Sequence, residues 1–237
     1  MCTVTWLHEP GGYHLLCNRD EKLARDPAHP PAEFVRHGVR VVAPVDPASG
    51  GSWIAVNEFG VATVLVNGDG SPPPGQCSRG LLTLELATAG SVLDAARRAS
   101  HIYWNGYAPC TVAMLEAGRP AFVIVWDGVQ PRLLTDGDSC LPLTSSSFAP
   151  DRARECRTRE FARRAGGPDG LFRFHQSHAR ARGGERRALS PCMHRDASAT
   201  VSFSWIHVDA NDIRFFYAPG SACAWEPGVT YSLLRAA

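Results

Sequence analysis

The sequence predicts an α+β protein in which sheets and helices form separate layers. Short apolar runs with β-branched and aromatic residues occur in pairs about turn sequences, and apolar residues at helical spacing are confined to two stretches. The resulting order is strands, helices, strands, helices, strands. These hairpin connections differ from a Rossmann arrangement, whose strands alternate singly with helices. The chain of 237 residues is expected to form one domain, residues 1–237.

The first element is a predicted hairpin. The runs "CTVTWL" and "HLLCNRD" flank "HEPGGY", in which the proline and glycines suit a tight turn. If Pro10 and Gly11 are the central turn residues, antiparallel pairing places Cys2 opposite Arg19, to within one residue of register. The hairpin is therefore expected to bring the start of the chain next to the run "NRDE".

The next part of the chain contains a predicted loop, a strand, a hairpin and helices. "EKLARDPAHPPAEF" contains three prolines and several charges and is expected to be a loop. The strand "GVRVVAPV" follows, and then a hairpin of residues 52–56 and 61–66 that ends at Asn67. After "SPPPGQ", apolar residues at helical spacing between 78 and 100 predict one or two helices.

The second half repeats this order. A hairpin is predicted in "CTVAMLEAGRPAFVIVWDG", and "PRLLTD" predicts a further strand. Residues 150–182 are rich in arginine and helical in pattern, with an interruption at "GGPDG", and they predict two solvent-facing helices. The segment "ATVSFSWIHVDANDIRFFYAPG" predicts two final strands about "DAND".

Charge and hydropathy indicate a small-molecule partner. The formal charge of +1, from 24 basic and 23 acidic residues, gives no overall field that would attract nucleic acid or a membrane surface. The start of the chain lacks the features of a signal peptide, and no stretch reaches the roughly 20 apolar residues that span a bilayer. We expect a cytoplasmic protein without membrane insertion.

The spacing of cysteine and histidine predicts neither a metal site nor a cofactor. The eight cysteines are scattered singly without a C-x-x-C pair, and the histidines show no H-x-x-x-H spacing. Cys192, Met193 and His194 are all haem-type ligands, but three neighbours on one strand rarely reach one metal. A buried cysteine beside a surface histidine is the favoured interpretation.

Cys2 directly follows the initiator methionine, which is normally removed when the next side chain is small. Removal gives a free α-amine, with a reference pKa of about 7.7–8.0, next to a thiol whose reference pKa is about 8.5. Because both groups titrate near neutrality, a proton can pass between them. A nucleophile activated by an N-terminal amine is an established form of covalent catalysis. If Met1 is retained, the nitrogen is an amide and cannot act as a base.

Arg19 and Asp20 acquire roles through the predicted hairpin. The carboxylate can orient the amine, and the guanidinium can hold the carboxylate or lower the thiol pKa. An ordinary charged pair at a strand end is the alternative for both residues, and a frayed terminal residue is the alternative for Cys2. The cysteine at position 2 and the charged pair opposite it in the hairpin are independent observations. Together they favour a catalytic role.

Five stretches together resemble the NRDE family, also called the transport-and-Golgi-organisation protein 2 family. They are "MCTVTW", "CNRDE", "GGSWIAVNEFGVATVLVN", "CMHRDASATVSFSWI" and "YAPGSAC", with weaker markers between about 80 and 190. The family is similar in turn to the choloylglycine and penicillin V hydrolase branch of N-terminal nucleophile hydrolases. The resemblance implies a four-layered αββα sandwich and cleavage of a linear amide.

The resemblance also implies catalytic residues. Cys2 matches the nucleophile of the branch, and Asn67 matches an asparagine that helps to form the oxyanion hole. A turn residue before Gly68 is the alternative for Asn67. The adjacent Arg19 and Asp20 stand where the branch has Arg-x-x-Asp, so their individual assignments are open by one register step.

Further residues are assigned on the same basis. Asn18 and Ser145 are expected to contact substrate, and Ser145, in "LTSSSF", stands where the branch has asparagine in a Thr-Asn segment. That departure puts activity in question. A late arginine of the branch has two possible counterparts, Arg180 and Arg195.

Two functions follow from the sequence. The first is an amidohydrolase or acyltransferase with a cysteine nucleophile, acting on a linear C–N amide of a small molecule other than a peptide. The second is a non-catalytic carrier or chaperone that binds haem, acyl-CoA or another lipophile in the same pocket. Fold alone does not choose between them, because one scaffold hosts many functions.

Overall fold

The computed structural model describes residues 1–68, 77–178, 186–225 and 230–236, and it contains two antiparallel sheets packed face to face. Helices cover the outer face of each sheet. This helix–sheet–sheet–helix order confirms the α+β class and the αββα sandwich. Within the described ranges, no helix combines the length and the hydropathy needed to cross a membrane.

The strands and helices alternate in the predicted blocks. The strands are β1 (Cys2–Glu9), β2 (Gly12–Lys22), β3 (His29–Arg36), β4 (Val39–Val45), β5 (Ile54–Asn57), β6 (Ala62–Asn67), β7 (Cys110–Leu115), β8 (Phe122–Trp126), β9 (Pro131–Leu134), β10 (Leu143–Thr144), β11 (Ser198–Val208), β12 (Asp212–Pro219) and β13 (Thr230–Leu234). The α-helices are α1 (Arg79–Leu86), α2 (Val92–Ala99), α3 (Pro150–Arg164), α4 (Gly167–His175) and α5 (Arg186–Leu189).

The two sheets differ in how they are assembled. The first sheet has the strand order β10-β1-β2-β11-β12-β13, and the second has β3-β4-β5-β6-β7-β8-β9. The second sheet is a meander of consecutive antiparallel strands, whereas the first joins strands from both ends of the chain. Because β2 lies between β1 and β11, the run "NRDE" lies within the first sheet rather than at its edge.

The β1–β2 hairpin has the predicted register. Cys2 pairs with Arg19, and the strands end on either side of Pro10 and Gly11. Gly11 has a φ of 78°, in the left-handed region that favours glycine. Residues directly opposite each other in an antiparallel pair share a face of the sheet. Cys2 and Arg19 therefore point to the same side.

Apolar clusters hold the four layers together. Between the sheets lies the largest core, which includes Trp6 and Phe215. Helices α1 and α2 cover the outer face of the second sheet, with Leu86 fully buried there. On the opposite side, Leu171 of α4 packs in a cluster with Phe203 of β11. Each such side chain contributes about 1.5–3 kcal/mol by burial.

The proline-rich segment predicted as a loop contains β3, so this prediction is wrong for residues 29–36. Among the described residues, β3 pairs with β4 alone and lies at the edge of the second sheet. Proline lacks an N–H donor, and an edge strand tolerates it because one side has no ladder to complete. The register shifts between His29 and Ala32, the interval that contains Pro30 and Pro31.

The arginine-rich helices α3 and α4 are present, but they are not simply solvent-facing. Their buried residues are Ala153, Cys156, Arg157 and Glu160 in α3, and Gly170, Leu171, Phe174 and His175 in α4. Each helix has only a few buried residues on the side that faces the sheet. The sequence does not reveal them, because the many arginines lower the average hydropathy of the whole segment. The sequence also does not predict β10 or β13, which are short edge strands of the first sheet.

Candidate active site

A cleft lies between the start of β1, the loop before β5 and the start of α1. Its cavity has a volume of about 140 Å³ and is lined in part by Cys2, Arg19, Trp53, Asn67 and Arg79. Cys2 is 4% exposed and lies in the wall of this cleft. Three of the predicted site residues, Cys2, Arg19 and Asn67, are therefore brought together.

Two glycines allow α1 to approach the second sheet beside the cleft. A Cβ on Gly51 would lie 2.6 Å from the backbone of Gly80, and the Ser52 N–H donates to the Gly80 carbonyl at 3.0 Å. Ser78 caps the helix by accepting a hydrogen bond from the Gly80 N–H. This packing holds Arg79, the first residue of α1, in the cleft wall.

Cys17 is a site residue that the sequence reasoning missed. It lies two residues before Arg19 on β2, so it points to the same face as Cys2. Its thiol is completely buried and hydrogen-bonds to the Cys2 sulfur. The predicted register could have identified Cys17. Arg19 is the partner of Cys2, and the residue two positions before that partner is a diagonal neighbour of Cys2.

The surroundings of Cys2 favour its thiolate. The hydrogen bond from Cys17 is the largest cause of a lowered pKa for the Cys2 thiol, and the positive amino terminus and Arg19 act in the same direction. Burial and the Asp20 carboxylate oppose them. Burial and the neighbouring sulfur raise the pKa of Cys17. Cys2 is therefore the more acidic of the two thiols. Cys17 stays protonated and donates a hydrogen bond to the Cys2 sulfur.

Arg19 is held in the cleft by two carboxylates and an indole ring. Its Nη2 lies 3.1 Å from Asp46 Oδ2 and 3.4 Å from Glu21 Oε2. Its guanidinium carbon lies 4.5 Å from the centroid of a Trp53 ring. These contacts hold the guanidinium on the face of the sheet that carries Cys2. From there its positive charge helps to lower the pKa of the Cys2 thiol.

Asp20 lies on the opposite face of the first sheet, so it does not form an ion pair with Arg19. Neighbouring residues of a strand point to opposite faces, and this alternation excludes the pairing considered from the sequence. Asp20 is 1% exposed, with Oδ2 3.3 Å from Arg157 Nη2 and Oδ1 accepting from Thr200 Oγ1 at 2.7 Å. Burial raises the pKa of its carboxyl group, and Arg157 opposes that shift.

Arg157 of α3 is the guanidinium partner that the sequence reasoning did not identify. It is 1% exposed and donates from Nη1 to Thr3 Oγ1 at 2.9 Å and to Thr144 Oγ1 at 2.6 Å. A further bond reaches the Ser145 carbonyl at 3.2 Å, and Nε donates to the Ser190 carbonyl at 3.1 Å. Arg157 thus connects α3, β1 and β10 beneath the start of the chain. In the sequence, Arg157 stands out only because it follows Ala153 by about one helical turn and so lies on the same buried face of α3.

Ser145 lies beside the backbone of Cys2. Its Oγ is 3.3 Å from the Cys2 nitrogen, and its N–H donates to the Cys2 carbonyl at 3.0 Å. The Met1 amine donates to the Asp20 carbonyl at 2.8 Å, and the Asp20 N–H donates to the Met1 carbonyl at 2.7 Å. The nitrogen that methionine removal would free is therefore already next to a hydroxyl oxygen.

Asn18 is not brought together with Cys2. Its side-chain nitrogen donates to the carbonyls of His175 and Pro191, both at 2.9 Å, on the outer face of the first sheet. Of the two candidates for the late arginine, Arg180 lies outside the described residues. Arg195 packs over the Phe148 ring at 5.6 Å, outside the cleft lining.

Two clusters of metal-binding side chains occur among the described residues. One consists of His178, Cys192, His194 and Cys223, and the other of Glu9, His14 and His207. Cys192 and His194 are close in sequence, as are Glu9 and His14, but the other ligands of each cluster come from distant parts of the chain. Local spacing could not reveal them, because it detects only ligands that are close in sequence.

The amino-terminal part of the chain matches a known family. Residues 1–104 match the family model described as Transport and Golgi organisation 2. This match confirms the resemblance over those residues, which include β1, β2, Asn67 and Arg79. Among curated proteins, no sequence matches the chain.

Solved structures share the whole fold at low sequence identity. Penicillin V acylase from Agrobacterium tumefaciens is 11% identical with a TM-score of 0.57, covering 98% of this chain and 85% of the acylase. Two variants of conjugated bile acid hydrolase from Clostridium perfringens are 9% and 10% identical, with TM-scores of 0.60 and 0.55. They cover 98% and 99% of this chain, and each match spans 92% of the hydrolase. The chain therefore shares the fold of these acylase and hydrolase structures.

Proposed function

We propose that the protein is an amidohydrolase in which Cys2, after removal of Met1, is the amino-terminal nucleophile. The observation that carries this proposal is the Cys2 thiol in a cleft wall with its pKa lowered by Cys17 and by nearby positive charge. A nucleophilic thiol needs both access and thiolate character. The two are combined here at the second residue of the chain.

The reaction proceeds in two steps. The Cys2 sulfur attacks the amide carbonyl carbon while its proton passes to the α-amine. The amine then protonates the departing nitrogen, the C–N bond breaks, and a thioester remains on Cys2. In the second step, a water gives a proton to the amine and its oxygen attacks the thioester carbonyl carbon. The C–S bond then breaks, the carboxylic acid leaves, and the proton on the amine returns to the Cys2 sulfur.

The neighbours of Cys2 have distinct roles in this scheme. Ser145 Oγ, 3.3 Å from the Cys2 nitrogen, orients the amine. Asn67, at the end of β6 and in the cleft wall, donates to the oxyanion of the tetrahedral intermediate. Asp20 acts from the other face of the sheet as a positioning residue, because it holds Arg157, which also donates to the Ser145 carbonyl.

Arg79 favours a substrate that carries an anionic group. Arg19 and Arg25, the other arginines that line the cleft, form ion pairs with Asp46. Arg79 donates from Nη1 to the Pro109 carbonyl at 2.8 Å, and no carboxylate of the described residues lies within ion-pair distance of it. A substrate carboxylate supplies the missing partner, as in an N-acyl amino acid.

A neighbouring cavity suits an acyl group. It has a volume of about 330 Å³, and Leu23, Pro27, Ala28 and Tyr217 contribute apolar lining. Arg19 lines both this cavity and the cleft. An N-acyl amide fits the pair of cavities, with its acyl chain in the apolar one and its amide at Cys2. The carrier alternative depends on the same apolar cavity, which would hold a lipophile without cleavage.

The test is hydrolysis of a panel of N-acyl amino acids, bile-salt conjugates and penicillin V by the purified full chain. We expect turnover of at least one amide, and a loss of at least about 10³-fold in Cys2→Ala, since removing a nucleophile costs this much or more in other enzymes. Cys77→Ala is the matched control, because Cys77 is exposed. Panel members that bind equally well to wild type and Cys2→Ala without turnover would establish the carrier instead.

A further inference from the structure

Four side chains with soft metal-binding atoms converge at the outer side of the first sheet. They are His178, Cys192, His194 and Cys223, and their ligand atoms all lie within 4.8 Å of one another. None of the four lines the Cys2 cleft. Two thiols and two imidazoles form one of the common ligand sets of tetrahedral structural zinc sites.

The distances within the cluster fit a tetrahedral ion. His194 Nε2 lies 3.5 Å from the Cys192 sulfur and 3.4 Å from the Cys223 sulfur. With Zn–S of about 2.3 Å and Zn–N of about 2.0–2.1 Å, tetrahedral geometry separates nitrogen from sulfur by about 3.5 Å. The His178 and His194 rings are 5.1 Å apart between centroids. One ion can therefore contact all four ligand atoms with small adjustments of the side chains.

Hydrogen bonds outside the cluster hold the three contributing segments in place. The Cys192 N–H donates to the Ser177 carbonyl at 3.2 Å, which joins the segment before β11 to the residue preceding His178. Gln176 Nε2 donates to the Ala222 carbonyl at 3.3 Å, next to Cys223. The segments that carry the ligands are thus held together by hydrogen bonds that do not involve the ligand atoms.

The second cluster provides a contrast. Glu9 bonds to His207 Nε2 at 2.9 Å and contacts His14 Nε2 at 3.3 Å, while Trp205 Nε1 donates to His14 Nδ1 at 3.1 Å. The two imidazoles stack at 4.2 Å between centroids. Protons shared between Glu9 and the histidines account for this arrangement, and it offers one hard oxygen ligand and no sulfur.

We propose that His178, Cys192, His194 and Cys223 bind one structural Zn²⁺ ion. On binding, the two thiols lose their protons to solvent, so the two thiolates balance the charge of the ion. All four positions are taken by protein ligands, which is typical of a structural site and leaves no open position for catalysis. This site is independent of the proposed function at Cys2.

The metal would stabilise the network beneath the candidate active site. Met193, between two of the ligands, accepts from the Thr200 N–H at 2.8 Å and donates to Thr200 Oγ1 at 2.9 Å. Thr200 in turn donates to Asp20. A metal that fixes residues 192 and 194 therefore restrains the partner of Asp20.

The experiment measures zinc bound by the purified full chain after incubation with ZnCl₂ and removal of excess metal. We expect about one ion per chain, and Co²⁺ in its place should show the thiolate-to-metal charge-transfer absorption of a two-sulfur site. In Cys223→Ser and His178→Gln, affinity for Zn²⁺ should fall at least about 100-fold, since second-shell changes alone cost 10- to 100-fold. Both ligands are exposed, so circular dichroism should show retained folding.

His207→Gln, in the second cluster, is the matched control and should keep the ion. The proposal is overturned if the wild-type chain binds no zinc, if Cys223→Ser and His178→Gln bind it as tightly as wild type, or if His207→Gln alone loses it. A native disulfide between Cys192 and Cys223, detected by intact mass before and after reduction, would also overturn it.

Discussion

The two faces of β2 carry different kinds of residues. Cys17 and Arg19 point into the space between the sheets, beside Cys2 and the cleft. Asn18 and Asp20 point outward into hydrogen bonds with α4, α3 and β11. One face presents a thiol that can react, and the other holds the strand in position. A run of adjacent polar residues on a strand therefore serves two sites at once, because alternate side chains point to opposite faces.

The ion pair on the outer face is more completely buried than the ion pairs of Arg19 on the inner face. Asp20 and Arg157 are each 1% exposed, whereas Arg19 is 6% exposed and shares Asp46 with Arg25. A buried ion pair tolerates the loss of one partner poorly, because the other charge is left without compensation. Variants of the two faces should therefore separate stability from chemistry.

The largest expected effect is on stability. Arg157→Ala leaves the Asp20 carboxylate buried without its partner and should lower the free energy of unfolding by about 3–5 kcal/mol. Arg19→Met is the matched change on the inner face and should cost about 1 kcal/mol or less, since Asp46 keeps Arg25 at 2.7 Å. Urea denaturation measures both. Equal losses would show that the two faces do not differ.

Asn67→Ala should reduce turnover of an amide identified in the substrate panel by about 10²- to 10³-fold, because one oxyanion donor is removed. The free energy of unfolding should change little, since Asn67 is only partly buried at the end of β6. Steady-state kinetics and urea denaturation test the two statements. A change in KM without a change in kcat would mean that Asn67 binds the ground state instead.

A pH effect is expected from His175, on the outer face. Burial lowers the pKa of His175 to about 3, with Nε2 hydrogen-bonded to Thr5 Oγ1 at 2.8 Å. The unfolded chain gains this proton near pH 6.5, so the contribution to stability is complete above that pH and is lost as pH falls toward 3. Between these values, wild type should lose about 1.4 kcal/mol per pH unit more than His175→Gln. Parallel pH profiles of unfolding free energy would contradict this.

A smaller effect is expected from Cys17 on the inner face. Cys17→Ala removes the main cause of the lowered pKa of Cys2, so the pKa of Cys2 should rise. Cys17→Ser keeps a hydrogen-bond donor and should restore much of the shift. The pH dependence of Cys2 alkylation measures it. If the pKa of Cys2 is unchanged in Cys17→Ala, the lowered pKa of the Cys2 thiol comes from the amine and Arg19 alone.

Much of the fold was predictable because hairpins are local. Paired apolar runs about short turns predicted most strands of both sheets, and they predicted the register of Cys2 with Arg19. β3 was missed because its two prolines are compatible with an edge strand, and edge position depends on which strands pair elsewhere. The αββα order of the layers was predicted from the family resemblance. Hydrophobic periodicity shows that an element has a buried face, but it does not show which element packs against that face.

The hairpin register and the family resemblance each predicted part of the candidate site. Cys2 and Arg19 follow from that register, and Asn67 follows from the resemblance. Arg157 could not be identified, because its role depends on how α3 packs against the first sheet more than a hundred residues from Asp20 in sequence. The same is true of Cys192 and Cys223, which meet through tertiary structure alone.

The most direct test of the account is site-resolved alkylation of the purified chain with iodoacetamide across a pH series, read by mass spectrometry. The account predicts a mature chain that begins at Cys2, and alkylation of Cys2 at lower pH than exposed Cys77. Retention of Met1, or alkylation of Cys2 and Cys77 with the same pH dependence, would contradict an activated amino-terminal thiol.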